Sequence, residues 1–384
     1  MNKLHHTVLI IVFAIVLLAG LLGTFFKWDF DEPDSENRRL ADAPDFKHTP
    51  FKDWPEELEA YFNDHFGFRN TFIRRHWKIM RKIEKSNQVI FANEGWLFFN
   101  TPIIIQDYLG NKNPDSKKKD RVTASLQSRI DWLKKRNIEF LFVLVPNKIS
   151  LHQEHLPNQL KELQGKSNRE CLIETFDGRF DKNMLDLLPL LSHKKTGLDL
   201  YLKTDTHWND LGAFFAHEAI IEILREQLPD LPKTITLGDL KIHMESINGD
   251  LARLSGAPKK HTLQSEKLSN PLSKSWTTSE LTDAVFLTPE HIPLINKPPH
   301  TVHNPNGRYN VLIFHDSFTE GLQELLPHYF MNSTFIWRYS TPELLQAAVE
   351  ACKPDIVIEQ VVERFLVDDN DGAFLQPLNV TARK

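Results

Sequence analysis

NVLIFHDSFTEGLQELL, residues Asn310 to Leu326, passes from an unbroken apolar run through a polar turn into helical spacing. Val311 to Phe314 have no polar side on either face, the pattern of a strand covered above and below. The turn His315-Asp316-Ser317 then places a hydroxyl where the next helix begins and its free N–H groups point outward. Strand, turn and helix in this order form the repeating unit of an α/β fold.

The same unit recurs on both sides. Val122, Leu126, Ile130 and Leu133 mark one helical face before the apolar run IEFLFVLVP (Ile138 to Pro146). Leu198, Leu200 and Leu202 alternate as a strand, and a helix is expected from Leu211 to Leu228. STFIWRY, the helix PELLQAAVEAC and the strand DIVIEQVVE follow, while EGWLFF (Glu94 to Phe99) reads as the buried strand that begins the domain. The expected fold class is α/β: a parallel sheet with helices on both faces. Residues 256–306 are polar and proline-rich and read as a loop excursion from it.

At the other end, TVLIIVFAIVLLAGLLGTFF (Thr7 to Phe26) is an uncharged apolar run of twenty residues, long enough for a helix to cross ~30 Å of hydrocarbon. Lys3 precedes it and DFDEPDSE follows, so the positive-inside rule leaves the N-terminus in the cytoplasm and exports the remainder. A cleavage site of the A-x-A type is missing, which favours an uncleaved anchor. The expected division is a transmembrane signal anchor over 1–28, a tether and helical arm over 29–90, and a catalytic domain over 91–384. The arm carries Leu58, Tyr61, Phe62, His65 and Phe66, then Phe72, Ile73, Trp77 and Met80, at the spacing of two helices broken near Gly67.

A net charge of −5 gives no pull toward nucleic acid, and the 15 glycines form no phosphate-binding loop. Two cysteines, Cys171 and Cys352, exclude a disulfide framework or a multi-thiolate metal site. No cofactor is implied.

Chemistry is concentrated in DTHWN, Asp205 to Asn209. A carboxylate two residues before an imidazole can bond one ring nitrogen, fix the tautomer and leave the other nitrogen as a base. Ser317 supplies the missing nucleophile, at a turn whose N–H groups suit an oxyanion. Plainer roles are open to the same residues: Ser317 or Asn209 as helix caps, His207 as a core ring. A metal on Asp205 and His207 would need further ligands from His217, His315 or Asp316, and no H-x-x-x-H or H-E-x-x-H pattern supports one.

The chain resembles the AlgX/AlgJ-type alginate O-acetyltransferases, whose catalytic domain is SGNH hydrolase-like. The resemblance runs through NRRLADAP (from Asn37), YFNDHFGFRN (from Tyr61), GWLFF (from Gly95), VPNKIS (from Val145), DTHWNDLGA (from Asp205), GDLARL (from Gly249), HDSF (from His315) and VERFL (from Val362). It implies a triad of Asp205, His207 and Ser317, in a circularly permuted order with the serine last. It also implies oxyanion donors at the Ser317 N–H and near Asn248-Gly249-Asp250. Lys148 and Arg364 lie in matching segments, as ligands for an anionic sugar or as supporting charges. Trp208 is either a wall of the site or part of the core. Where the family has a glycine before Asp-Ser this chain has His315. The short stretch after the last strand leaves no room for the carbohydrate-binding module of AlgX-like members, so the layout resembles AlgJ.

The function the resemblance implies is a single-pass inner-membrane protein whose periplasmic domain acetylates an exported polysaccharide, alginate or alginate-like. The acetyl group would pass through a serine ester, supplied by a membrane-bound O-acyltransferase acting as relay. The alternatives are a carbohydrate acetylesterase using the same triad and a non-catalytic component of polysaccharide assembly.

Overall fold

The computed structural model describes residues 22–24, 41–47, 50–69, 71, 88–256, 262–281, 298–366 and 376–378. It divides into two compact units, and every candidate site residue lies in the larger, which begins at residue 87. The expected membrane anchor lies outside the described residues except at 22–24. Among the described residues no helix is long and apolar enough to cross a membrane.

In the smaller unit the helix Trp54–His65 has no buried residue. The segment before it is tied down locally: Ala41 N donates to Asp64 Oδ2 at 2.8 Å, and the His65 ring meets Ala41 O at 2.8 Å. The second expected helix of the arm, around Phe72 to Met80, lies outside the described residues.

The strands, in chain order, are β1 Val89–Phe91, β2 Leu97–Phe99, β3 Glu139–Val145, β4 Met184–Asp186, β5 Lys241–Ile247, β6 Leu263–Ser269, β7 Thr277–Glu280, β8 His300–His303, β9 Arg308–Phe314, β10 Phe330–Ile336 and β11 Ile356–Val362. The main sheet has the order β4-β3-β11-β9-β10-β8-β7. The first five of these pair in parallel. Both faces are covered. Leu141, Val143 and Val145 of β3 enter one core with the helices Leu187–Lys194 and Asp210–Gln227. Phe140, Phe142 and Leu144 enter the other with the helices Ser116–Lys134, Asn168–Phe176 and Pro342–Cys352.

Four expectations need correction. The sheet is mixed, because β8 runs antiparallel to β10 and β7 antiparallel to β8. These strands come from the segment read as a loop, where alternation is too short and too polar to register as a strand. The same segment supplies β6, which pairs antiparallel with β5 in a separate ribbon. EGWLFF supplies the expected buried strand over Leu97–Phe99, outside the main sheet: β2 pairs with β1 alone, and Asn93–Gly95 is a 3₁₀ turn with Glu94 and Gly95 at φ 56° and 79°. Residues 198–202 form no strand. Leu200 and Tyr201 are both buried although adjacent, and Tyr201 makes a single antiparallel bridge to Trp208. After Ser317 the chain takes 3₁₀ turns, Ser317–Leu322 and Leu326–His328, instead of one α-helix.

The helix Asp210–Gln227 is fixed at its start by the Asn209 side chain, which accepts from Gly212 N at 2.9 Å, a cap worth about 1 kcal/mol. Gly212 is required by packing, since a Cβ there would stand 2.3 Å from Leu200 O. No disulfide joins Cys171 and Cys352.

Candidate active site

Without a strand beneath it, the 200–209 segment is held as a tight loop by its own main chain. Asn209 N donates to Leu200 O at 3.0 Å and Leu202 N to His207 O at 3.1 Å. Inside the loop stands Lys148, 5% exposed, from the turn that follows β3. Its Nζ lies 2.7 Å from Leu97 O, 2.7 Å from Leu202 O, 2.8 Å from Lys203 O and 3.0 Å from Asp205 O. Burial pulls its pKa down to about 7, against the attraction of Asp205 and Asp250. The ammonium is thus consumed by carbonyls and does not reach out to a sugar.

On this loop Asp205 Oδ1 accepts from the His207 ring at Nδ1, 2.7 Å, and from His207 N at 3.0 Å. The other ring nitrogen, Nε2, faces Ser317 Oγ at 2.6 Å. With His207 Nδ1–H donating to the Asp205 carboxylate, Nε2 is the acceptor for the serine hydroxyl proton. Burial opposes charge on His207, but the bond to Asp205 and the charges of Asp205 and Asp250 outweigh it and raise its pKa above the ordinary value. Burial pushes Asp205 up, yet its bonds to His207 and to Asp250 N hold it well below the usual carboxylate range.

Ser317 is presented at the end of β9 by its neighbour. Asp316 Oδ1 accepts from Phe318 N (3.0 Å) and Gln360 Nε2 (2.9 Å), and Oδ2 from Val362 N (2.8 Å) and Tyr339 OH (3.1 Å). The turn is therefore anchored to β11. Among the described residues the Ser317 N–H has no acceptor, which leaves it for a developing oxyanion. His315 fits where a glycine was expected. Its backbone is outside the left-handed region, and its buried ring bonds Asp316 O at 2.8 Å and packs near Phe335 and Trp337.

The remaining predicted residues divide. Trp208, 4% exposed, is core: its ring meets Phe318 edge-on at 5.3 Å. Arg364 stands near the triad, with its guanidinium 5.5 Å from the Phe318 ring centre and 3.1 Å from Asn147 Oδ1. Asn248 is exposed, and neither it nor Gly249 bonds Ser317. Gly249 instead packs under the acid, where a Cβ would stand 2.1 Å from Thr204 O and 2.9 Å from Asp205 Cβ. The segment thus backs the carboxylate.

Sequence reasoning gave Thr206 no role and placed Asp250 only beside an oxyanion donor. Thr206 N and Oγ1 donate to Asp250 at 2.8 and 2.5 Å, and Asp250 Oδ2 lies 3.9 Å from His207 Nδ1. The GDLARL block was the available signal. For metals, two groups of donor atoms come within 4.8 Å among the described residues: Asp205, His207 and Asp250, and separately His152, Glu154 and His155. His217, His315 and Asp316 belong to neither; His217 is in the core on Tyr329 OH at 2.7 Å.

The family described as "SGNH hydrolase-like domain, acetyltransferase AlgX" matches residues 89–289, just over half of the chain. The chain belongs to this family. The matched region of the AlgX family contains Asp205 and His207 and ends before Ser317. Two proteins described as probable alginate O-acetylase AlgJ, from Pseudomonas fluorescens and Pseudomonas syringae pv. tomato, are each 24% identical over 184 residues, 46% of this chain and 44% of theirs. The match thus spans less than half the length of these relatives. Among solved structures, Bacillus cereus PatB1 superposes with a TM-score of 0.54 at 16% identity, over 74% of this chain and 99% of PatB1. That likeness is one of fold alone.

Proposed function

We propose that this protein transfers acetyl groups to hydroxyls of an exported polysaccharide through an acetyl ester on Ser317. The observation that carries the reading is the unbroken line from Asp205 through His207 to Ser317, with contacts of 2.7 and 2.6 Å. Ser317 Oγ attacks the donor's acetyl carbonyl as His207 Nε2 takes the hydroxyl proton. The tetrahedral oxyanion is met by the Ser317 N–H, and the leaving group departs with the proton from His207. In the second half a sugar hydroxyl gives its proton to the same nitrogen and attacks the ester, and Ser317 leaves as the protonated hydroxyl. Membership of an acetyltransferase family supports this chemistry over phosphoryl or hydride transfer.

The apolar run Thr7 to Phe26 supports an inner-membrane anchor with the domain in the periplasm. A donor outside the cytoplasm must then be supplied by a membrane-bound acyl relay. The test is to incubate the full chain with an aryl acetate, with and without oligosaccharide. Mass spectrometry should find an acetyl group on the Ser317 peptide and on the sugar, both lost in Ser317→Ala. Acetate release indifferent to sugar, with no acetylated product, would make the protein an esterase; activity surviving Ser317→Ala would remove the mechanism.

A further inference from the structure

A cavity of about 190 Å³ lies apart from the triad, at the ends of β3 and β4. A single water needs only ~10–15 Å³. Asp107 and Tyr108 line it and are 6% and 4% exposed, whereas Ser192 on its wall is exposed, so the cavity runs from solvent to a buried floor. The floor holds unmet hydrogen-bonding capacity. Tyr108 OH is buried with no hydrogen-bond partner; Arg169 Nε and Glu363 Oε2 also lack one and meet only as an ion pair at 3.7 Å. Buried polar groups of this kind are costly unless something completes them.

The surrounding charges narrow the class of ligand. Arg169 is the cation on the wall, and it already contacts Asp186 at 2.5 Å. Asp107 and Glu170 line the same wall, with Glu363 beside it. A carboxylate entering here would meet several acids and one guanidinium already engaged. A neutral molecule bearing hydroxyls can donate to Asp107 and Glu170 and accept from Arg169 and Tyr108.

The cavity is joined to the catalytic side by bonds. Ser150, on its wall, hydrogen-bonds Glu363 Oε1, which also accepts from Asn147 N at 2.8 Å, and Asn147 Oδ1 holds Arg364 over Phe318. In the sheet, β3 stands two strands from β9, on the order of 10 Å at the usual spacing. A polymer would bridge that offset and a lone monosaccharide would not.

We infer that this cavity is a subsite for a neutral sugar residue of the acceptor polysaccharide, next to the residue that is acetylated. The inference rests on the polysaccharide reading above. It adds that the polymer carries neutral sugars, either throughout or between uronates.

Binding is tested on the full chain carrying Ser317→Ala, so no turnover is required. Calorimetry with a panel of neutral hexose hexamers (gluco-, manno- and galacto-configured) and with a mannuronate hexamer reads the preference. Saturable binding of a neutral hexamer is expected, at least tenfold tighter than the uronate. Tyr108→Phe should weaken it about fivefold, the worth of one neutral hydrogen bond. Ser192→Trp, a change on an exposed position, should block it. No binding by any neutral hexamer, equal binding of the uronate, or binding untouched by both substitutions would overturn the subsite. Failure of the acetyl-transfer reading would appear separately, as a wild-type enzyme that never labels Ser317.

Discussion

The main-chain N–H of Asp250 donates to Asp205 Oδ2 at 2.8 Å, while the Asp250 carboxylate takes both the N–H and the hydroxyl of Thr206. Two acids thus clasp the dipeptide that carries His207, and the second adds negative potential 3.9 Å from Nδ1. His207 acts as a base only when neutral. Its pKa lies above the ordinary 6.5, so kcat/KM for an aryl acetate should fall as pH drops through a value above that. Asp250→Asn removes one of the charges raising it. The acid limb should then move to lower pH, with the plateau rate reduced less than about 100-fold, the lower range for acid–base groups. A pH–rate profile checks both. An acid limb at the same pH in wild type and variant would mean that Asp250 is only scaffolding.

Lys148→Met should disorder the acid–base loop. Four carbonyls, one buried and three half-buried, lose their charged donor, and hydrogen bonds to charged groups are worth roughly 1.5–3 kcal/mol each. Thermal melting should show a loss of several degrees. Ser317 acetylation should slow far more than the melting loss implies, because the ammonium holds the turn bearing Asp205. A variant that melts early yet labels Ser317 at the wild-type rate would argue against this coupling.

Glu363→Gln addresses stability. Burial, with Asp107 adding to it, raises the Glu363 carboxyl to about 7. In the fold it keeps a proton that the unfolded chain gives up near pH 4.3, the ordinary glutamate value. Its stabilising share is therefore complete below the unfolded value and is lost as pH rises through about 7. At ~1.4 kcal/mol per pKa unit the loss by pH 8 is on the order of 3 kcal/mol. The glutamine variant should flatten this part of the stability profile and melt higher than wild type at pH 8. Urea titrations at pH 5 and 8 measure it.

His315→Ala should cost stability more than chemistry. A ring 1% exposed disappears from between Phe335 and Trp337, and deletions of this size leave cavities costing roughly 2–4 kcal/mol. The Ser317 turn hangs on Asp316 and β11, so Ser317 labelling at 25 °C should persist. Calorimetric melting and adduct formation separate the two effects.

The sequence was most readable where the core decides the structure. β3, β9 and β11 each carry an apolar run, Phe140 to Val145, Val311 to Phe314 and Ile356 to Ile358, and their burial on two faces follows directly. Asp205, His207 and Ser317 could be named because their spacing is chemical. Elsewhere the determinants were tertiary. β7 and β8 are short and polar, and exist because β10 offers an edge to pair with. Leu198 to Leu202 alternates like a strand, but Lys148 claims the Leu202 carbonyl, Asn209 N claims that of Leu200, and the turn closes on Trp208. Lys148 read as a sugar ligand or a supporting charge, since no local pattern announces that an ammonium will be surrounded by main chain from two distant segments. The hold of Asp250 on Thr206 escaped notice for the same reason.

The lysine inside the acid–base loop alters how loss-of-function alleles of this gene should be read. Substitutions at position 148, more than fifty residues upstream of the base it supports, would resemble knockouts of the reaction centre in a genetic screen. Yet the group lost in such alleles is spent on the scaffold and has no reach to the acetyl group. Mapping severity alone onto the chain would therefore draw the reaction centre too large.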